Sequence, residues 1–214
     1  MKKSSMLTII LILLSCSTFI AAQQKTKAPV KRVSGRNLIK PIPKPKVEVE
    51  NWKEFEFKDL NLKLIFPKEP TVTVSNYSET SRVKVISSVI QSIINTDYYM
   101  VEVREYPAGV LPNRTDLGES YGAWLRNYVL SGVNVVGENT FNFGAYKMVE
   151  FVYQQTPNDV LIHRTMVVGT KLYQIIIQFE VRNAETFEQV IAKNKSKIDK
   201  FFLSLELTEE QFIS

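Results

Sequence analysis

The fold is decided by the stretch VLIHRTMVVGTKLYQIIIQFEV, residues 160–181, in which two runs of β-forming residues flank a short break. The break, Gly169-Thr170-Lys171, is typical of a tight hairpin turn. Alternate residues of the second run divide between two faces, one with Tyr173, Ile175, Ile177, Phe179 and Val181, the other with Leu172, Gln174, Ile176, Gln178 and Glu180. The stretch therefore predicts an antiparallel β-hairpin with strands over 160–168 and 172–181.

Similar runs occur along most of the chain before this hairpin. They cover residues 53–58, 62–66, 72–80, 83–94, 98–106 and 146–154. The three runs between 72 and 106 are separated by short breaks, which is typical of an antiparallel meander. After the hairpin, we expect Phe201 to Leu207 to close the domain as an extended segment.

Two segments have helical spacing instead. Asp116 and Glu119 have the spacing of a capping box, and an apolar stripe follows until Gly132, which suits a helix end. The stripe contains Leu117, Tyr121, Trp124, Leu125 and Tyr128. Asn183 is placed to cap a second helix over 184–199, whose stripe contains Phe187, Val190, Ile191 and Ile198. The pattern predicts an α+β domain over residues 51–208, a single antiparallel sheet of about six to seven strands flanked by helices, followed by a tail over 209–214.

The first 22 residues have the pattern of a secretory signal peptide. Lys2 and Lys3 precede an apolar run, and Ala21-Ala22-Gln23 supplies small residues for cleavage. A second interpretation uses the only cysteine, because Leu13-Leu14-Ser15-Cys16 resembles a bacterial lipobox. We expect an exported protein, periplasmic or extracellular, cleaved after Ala22. The alternatives are a lipoprotein anchored through Cys16 and an uncleaved anchor.

Residues 23–50 are expected to form a basic, proline-rich, disordered linker. They contain eight basic and two acidic side chains, and proline alternates with other residues over 41–46. Residues 51–214 carry 17 basic and 20 acidic side chains, so the net charge of +5 comes from the leader and linker. A basic nucleic-acid-binding domain is not indicated. The linker either attaches electrostatically to an anionic envelope surface or is a solvated tether.

Catalytic and metal-binding patterns are weak in this sequence. His163 is the only histidine, and cleavage after Ala22 removes the only cysteine, so we expect no metal or cofactor. Arg164 lies in an apolar strand face, where it is either a structural ion pair with Glu102 or Glu150 or an anion-binding group in a pocket. Candidate carboxylate pairs are Glu54 with Glu56, and Glu102 with Glu105.

The aromatic residues mostly fall on apolar stripes, which favours core packing. Trp52, Tyr98 and Tyr106 fall outside the clearest stripes. They are candidates for lining a groove that binds a peptide, a glycan or a lipid.

The layout resembles exported bacterial domains of the PsbP-like and DcrB-like fold. The segments that carry the resemblance are Phe66-Pro67-Lys68-Glu69-Pro70, Gly144 to Glu150, Arg164 with Gly169 and Leu172-Tyr173, and Phe201 to Leu205. The resemblance implies an antiparallel sheet flanked by helices, and it implies no activity. We therefore expect a non-enzymatic exported domain with a binding or accessory role in the cell envelope. Its partner would be an envelope protein, an envelope polymer or a small ligand. The alternative is an enzyme with an unrecognised Asp, Glu or Tyr site.

Overall fold

The computed structural model describes residues 48–80, 83–182 and 185–208. The signal peptide expected over 1–22, the linker up to residue 47 and the tail over 209–214 lie outside the described residues. The chain divides into two units, Met1–Val49 and Glu50–Ser214. Of the first unit only Glu48 and Val49 are described, and both are exposed. In the described part of the chain, no helix is long and apolar enough to cross a membrane.

The second unit contains ten strands and two α-helices among its described residues. The strands are β1 Lys53–Phe57, β2 Leu62–Phe66, β3 Thr71–Thr80, β4 Val83–Ile94, β5 Asp97–Glu105, β6 Asn134–Phe143, β7 Tyr146–Gln154, β8 Asp159–Val168, β9 Lys171–Glu180 and β10 Glu206–Leu207. The helices are α1 Leu117–Trp124, which continues into a π-helical turn over Leu125–Val129, and α2 Phe187–Leu203. A 3-10 turn, Lys58–Leu60, connects β1 to β2.

Seven strands form one antiparallel sheet in the order β3-β4-β5-β9-β8-β7-β6. The predicted hairpin is confirmed as β8 and β9, with Ile162 opposite Ile177 and Val168 opposite Lys171. Gly169 in its turn has a φ of 58°, a left-handed conformation that glycine adopts without steric cost. The predicted meander is confirmed as β3, β4 and β5.

A second, smaller sheet has the order β1-β2-β10. The α+β class and the antiparallel sheet of seven strands are confirmed, but the first two predicted strands belong to this separate sheet. Leu62, Leu64 and Phe66 of β2 are fully buried, because β2 is the central strand of the small sheet and one of its faces packs into the core.

The first face of the large sheet carries the main apolar core, and it is the face of Tyr99, Val101 and Val103. The small sheet and α2 cover it. Phe201 of α2 lies edge-on to Tyr99 and to Phe66 of β2, with ring centroids 5.3 Å apart in both pairs. Each fully buried large side chain of this kind contributes about 2 kcal/mol.

The second face of the large sheet is covered over β7 and β8 by α1. It is the face of Tyr98, Met100, Glu102 and Arg104, by strand alternation. Two glycines let the helix approach closely. A Cβ on Gly118 would lie 1.9 Å from the Lys147 carbonyl oxygen, and one on Gly122 would lie 2.8 Å from the Val149 side chain.

Three sequence predictions about the elements are wrong. The strand β6 was not anticipated, because Gly137 and the three asparagines of this edge strand hide its alternation. The side chain of Asp116 makes no capping hydrogen bond, because it pairs with the Arg114 guanidinium instead. Residues Phe201 to Leu203 belong to α2 and are not extended.

The second helix begins later than its predicted start. Thr186 and Gln189 form its capping box, with both reciprocal hydrogen bonds present, while Asn183 lies outside the described residues. In the first helix, Tyr128 was expected on the buried stripe but is 63% exposed. The π-helical turn has about one residue more per turn, which rotates Tyr128 away from the stripe while Leu125 stays buried.

Candidate functional site

The second face holds a group of buried polar side chains, which we call the polar cluster. Its members are Ser87, Glu102, Arg104, Tyr121, His163 and Gln174. They come from β4, β5, β8, β9 and α1, so the cluster joins the middle of the sheet to the covering helix. Strand alternation places the sheet members on this face, and α1 supplies the tyrosine.

Glu102 and Arg104 are the charged centre of the cluster. The Arg104 Nε donates to Glu102 Oε1 over 2.7 Å and its Nη2 donates to Oε2 over 3.2 Å. Arg104 is 3% exposed and Glu102 13%. The Ser87 hydroxyl and the Gln174 amide also donate to this carboxylate, over 2.9 Å each. The Glu102 carboxylate thus accepts hydrogen bonds from one cation and two neutral donors. We interpret Glu102 and Arg104 as a structural ion pair.

Gln174 connects this ion pair to the helix and to the histidine. Its amide oxygen accepts a hydrogen bond from the Tyr121 hydroxyl over 3.2 Å. A further hydrogen bond joins its side chain to His163. Burial lowers the pKa of His163 to about 4, the bond to Gln174 opposes this, and the nearby Arg104 charge adds to it. The imidazole is therefore neutral at physiological pH.

Three buried polar atoms beneath and within α1 have no hydrogen-bond partner among the described residues. They are His163 Nε2, Thr165 Oγ1 and Trp124 Nε1. Among the described residues, the hydrogen bonds do not connect a serine, a histidine and an acid as a catalytic triad would. The hydrogen-bond partner of His163 is the neutral side chain of Gln174. Among the described residues no group of three or more His, Cys, Asp or Glu side chains could hold a metal ion.

Strand alternation in the sequence places Glu102 and Arg104 together on one face, but it did not predict this cluster. The available signal was β9, where Leu172 and Ile176 share the second face with Gln174. Apolar residues on both faces of a strand indicate that both faces are covered. From the sequence, His163 could be either a surface or a packed histidine, and the structure shows a packed one that is 3% exposed.

Arg164 lies on the opposite face, and its predicted structural ion pair is confirmed. Its Nε donates to Glu150 Oε2 over 2.7 Å, and the two side chains are 19% and 15% exposed. The guanidinium also lies 4.0 Å from the ring centroid of Phe202 and 5.0 Å from that of Phe141. The second candidate partner, Glu102, is excluded because it belongs to the second face and holds Arg104.

The two candidate carboxylate pairs are not brought together as catalytic pairs. Glu54 is exposed and binds Lys63 over 3.1 Å, and Glu56 is exposed on the same strand. Glu102 and Glu105 are three residues apart on a regular strand, so their side chains leave opposite faces.

The three candidate aromatic residues lie in different places rather than along one groove. Trp52 packs edge-on against Tyr99 at the first face, with ring centroids 5.6 Å apart. The Tyr98 hydroxyl donates to Gln91 Oε1 on the second face over 3.0 Å. Only Tyr106 borders an open cavity.

That cavity, which we call the end groove, lies where β3 and β4 approach their hairpin and β5 ends. Its volume is about 550 Å³, which is the size range of small-ligand sites. Its described lining consists of Asn76, Tyr77, Ser78, Lys84, Val85, Ile86, Glu105, Tyr106 and Pro107. Val85 and Tyr106 form a buried floor, while Lys84 is exposed. The groove combines ring surfaces with neutral donors and acceptors and one charge of each sign.

The beginning of the second unit is fixed by a third charged group. Lys197 of α2 donates to Asp97 Oδ2 over 2.8 Å and contacts the Glu50 carboxylate. Burial lowers the pKa of Lys197, but the hydrogen bonds to Asp97 and Glu50 outweigh this and raise it. The Trp52 indole donates to the same Glu50 over 3.0 Å. The group therefore anchors the point where the expected linker meets the sheet.

Comparison with known proteins adds a likeness in fold. No protein-family model and no curated protein matches the sequence. Among solved structures, the chain is similar to the solution structure of cyanobacterial PsbP (CyanoP) from Synechocystis sp. PCC 6803. The identity is 12% and the TM-score 0.48, over 76% of this chain and 95% of that one. The likeness is one of layout and agrees with the PsbP-like resemblance stated from the sequence.

Proposed function

We propose that the protein is an exported, non-enzymatic binding domain of the cell envelope, and that the end groove holds a carbohydrate segment of an envelope polymer. Export rests on the leader over 1–22, which remains a prediction. The absence of catalysis is an expectation as well. Its support is that Glu102, Arg104, His163 and Arg164, the ionisable groups best placed for chemistry, are engaged in buried structural contacts.

The observation that carries the proposal is the chemistry of the end groove. Tyr77 and Pro107 offer ring surfaces on which the apolar faces of a sugar can pack, whereas Tyr106 is buried beneath them. Asn76 and Ser78, whose side chains leave the first face while that of Tyr77 leaves the second, can both donate to and accept from hydroxyl groups of a chain that crosses the strand edge. Lys84 and Glu105 carry opposite charges, so the groove favours no net charge in its ligand. A hydroxyl-rich, neutral chain fits these groups better than a lipid or a nucleic acid.

The linker would contribute a second, electrostatic attraction to the envelope in addition to ligand binding in the end groove. Its eight basic side chains would hold the domain near an anionic envelope surface at low ionic strength. This attraction is screened by salt, whereas packing on tyrosine rings is much less so. Salt therefore separates the two contributions experimentally.

The test is cosedimentation of the purified mature chain with insoluble bacterial cell-wall glycan at low salt and in 0.5 M NaCl. We expect binding that persists at high salt in the wild type and falls at least fivefold in Tyr77→Ala. The matched control is Tyr128→Ala, which removes a tyrosine that is 63% exposed on a different element. Absence of wild-type binding at high salt, or equal binding of both variants, would contradict the proposal.

The second candidate function is an accessory subunit of a larger complex, and a contiguous apolar surface favours it. Val72, Val74 and Ile86 are 50%, 61% and 44% exposed on neighbouring strands of the first face. Such groups on a protein surface commonly mark contacts with other proteins. The enzyme alternative would be supported by two buried carboxylates in one cavity, whereas the described lining of the end groove contributes Glu105 alone.

A further inference from the structure

The strand β3 is a long, open edge of the seven-stranded sheet. It pairs with β4 on one side, and on the other side no strand of the described residues is its neighbour in the sheet order. Seven of the eight side chains over 71–78 are exposed, and Tyr77 is half-buried. The backbone donors and acceptors that point away from β4 form a row that another strand can pair with.

Over residues 71–78, the sequence of this edge has no residue that protects it from pairing. Residues 71–78 read TVTVSNYS and include no charge and no proline. The opposite edge, β6, is interrupted by an irregularity between Val135 and Gly137 and carries Glu138, which pairs with Arg126. In the small sheet, the edge strand β1 carries Lys53, Glu54 and Glu56. Bulges and charges are the usual devices that block edge pairing, and in β3 both lie at the hairpin end, where the register shifts between Ser78 and Thr80 and the chain carries Glu79. The stretch 71–78 has neither.

The side chains of β3 are complementary to a second copy of themselves. In an antiparallel pair centred on Val74, this valine faces Val74 of the second copy and Val72 faces Asn76. On the other face Thr73 meets Ser75, and Thr71 meets Tyr77. Hydroxyl pairs and aromatic pairs with β-branched residues are favourable across strands, and within residues 71–77 no like charges oppose each other.

This register also keeps corresponding faces together. Directly opposed residues of an antiparallel pair lie on the same face, and a register centred on one residue pairs even numbers with even numbers. The exposed Val72, Val74 and Ile86 of both copies therefore form one apolar strip, because Ile86 lies opposite Asn76 and diagonal to Val74 on β4.

We propose that two copies of the chain associate through antiparallel pairing of β3 with β3, which joins their large sheets into one. The interface is isologous, so it closes as a dimer and leaves no repeated open edge. The dimer is a proposal separate from ligand binding. It would place Val72 of the second copy beside Asn76 at the rim of the end groove. A single strand pair is smaller than a standard interface, so dissociation at roughly micromolar concentrations is expected.

The experiment is sedimentation velocity of the purified mature chain from about 1 to 200 µM, with two charge variants. The wild type should shift from monomer to dimer over this range. Val74→Lys and Val74→Glu should each raise the dissociation constant at least tenfold, because like charges would face each other. An equimolar mixture of the two should restore the dimer. Ile93→Lys is the matched control, since Ile93 is 49% exposed on β4 but belongs to the second face.

Other occupants of the edge would give different results. A wild type that stays monomeric up to 200 µM overturns the proposal, as does a dimer that Val74→Lys leaves intact. Hydrogen exchange of residues 71–78 gives a second readout, because the dimer predicts protection that rises with protein concentration. Concentration-independent protection in a monomer would assign the edge to another part of the same chain and would equally overturn the proposal. Circular dichroism of each variant verifies folding, and none of these outcomes depends on glycan binding.

Discussion

Arg104 and Glu102 illustrate how much depends on single residues in this domain. Both lie on a strand face that α1 covers only in part, yet the guanidinium is almost fully buried. A buried ion pair contributes little net stability over apolar residues of the same shape, whereas a buried charge without its partner is costly. Its role here is consistent with fixing the register of β5 against β9, because Gln174 and Ser87 bind the same carboxylate.

We predict that Arg104→Met lowers the free energy of unfolding by about 3 kcal/mol, because the buried Glu102 carboxylate loses its cation. The double variant Arg104→Met with Glu102→Gln should recover part of this loss. Urea denaturation at pH 7 measures both. The control is Arg182→Met, which breaks an exposed pair with Glu180 and should cost less than about 1 kcal/mol. Similar costs for the two single variants would show that the Arg104 site is not buried as described.

His163 should make the domain sensitive to acid. Its pKa is lowered from 6.5 to about 4 in the folded state, so below pH 6.5 the unfolded chain binds a proton that the folded chain does not. Titration of His163 therefore leaves the free energy of unfolding unchanged above pH 6.5. It lowers that free energy as the pH falls towards 4, by roughly 3 kcal/mol in total.

His163→Gln should therefore flatten the pH dependence of unfolding between pH 7 and pH 4. The measurement is urea denaturation of both proteins at pH 7.0, 5.5 and 4.0, comparing the slopes rather than the absolute stabilities. The carboxylates titrate in both proteins and cancel in the comparison. Parallel slopes would mean that the histidine is accessible to water in the folded state.

At the scale of elements, the contact of α1 with the sheet depends on a glycine. In a free helix, replacing Gly118 with alanine would stabilise by about 1 kcal/mol. Here the new Cβ would overlap the Lys147 carbonyl oxygen and lie 3.5 Å from the Met166 Cα, both backbone atoms.

We predict that Gly118→Ala destabilises the protein by about 2 kcal/mol or more, because the helix must move away from β7 and β8. Thermal unfolding measures the change. Ser120→Ala is the control, because Ser120 is exposed on the same helix and its substitution tests propensity alone. A stabilised Gly118→Ala variant would show that α1 lies farther from the sheet.

Elements with strong alternation were predictable, and those with mixed signals were not. The strands β4, β5, β7, β8 and β9 agree with the predicted runs to within about one residue. For β6, six small or polar residues among ten weaken the pattern because an edge strand has little to bury. For the end of α2, Phe201 and Phe202 continue a helical stripe, but two adjacent aromatics fit a strand equally well.

At the scale of the whole molecule, the predicted leader and linker would decide where the domain acts. Cleavage after Ala22 leaves a mature chain without cysteine that begins at Gln23, whereas processing at Cys16 leaves a lipid-modified amino terminus. The two products place the domain in solution or on a membrane, and the basic linker would act differently in each case.

We predict that the exported protein begins at Gln23. Mass spectrometry of the protein from the envelope fraction and from the medium measures the intact mass and the first residues. A diacylglyceryl mass on Cys16 would contradict the prediction and establish a lipoprotein. Substitution of Cys16 by serine is the control, since it should change neither the cleavage site nor the location if Gln23 is the first residue.

The sequence by itself determined the α+β class, the central hairpin and the pairing of Arg164 with Glu150 as one of two choices, because strand alternation assigns each side chain to a face. Only the tertiary structure decided that β1 and β2 form their own sheet, that His163 and Arg104 are buried and that β3 is an edge strand of the described sheet. Those features depend on which element lies against which face, and this depends on contacts between residues far apart in the chain.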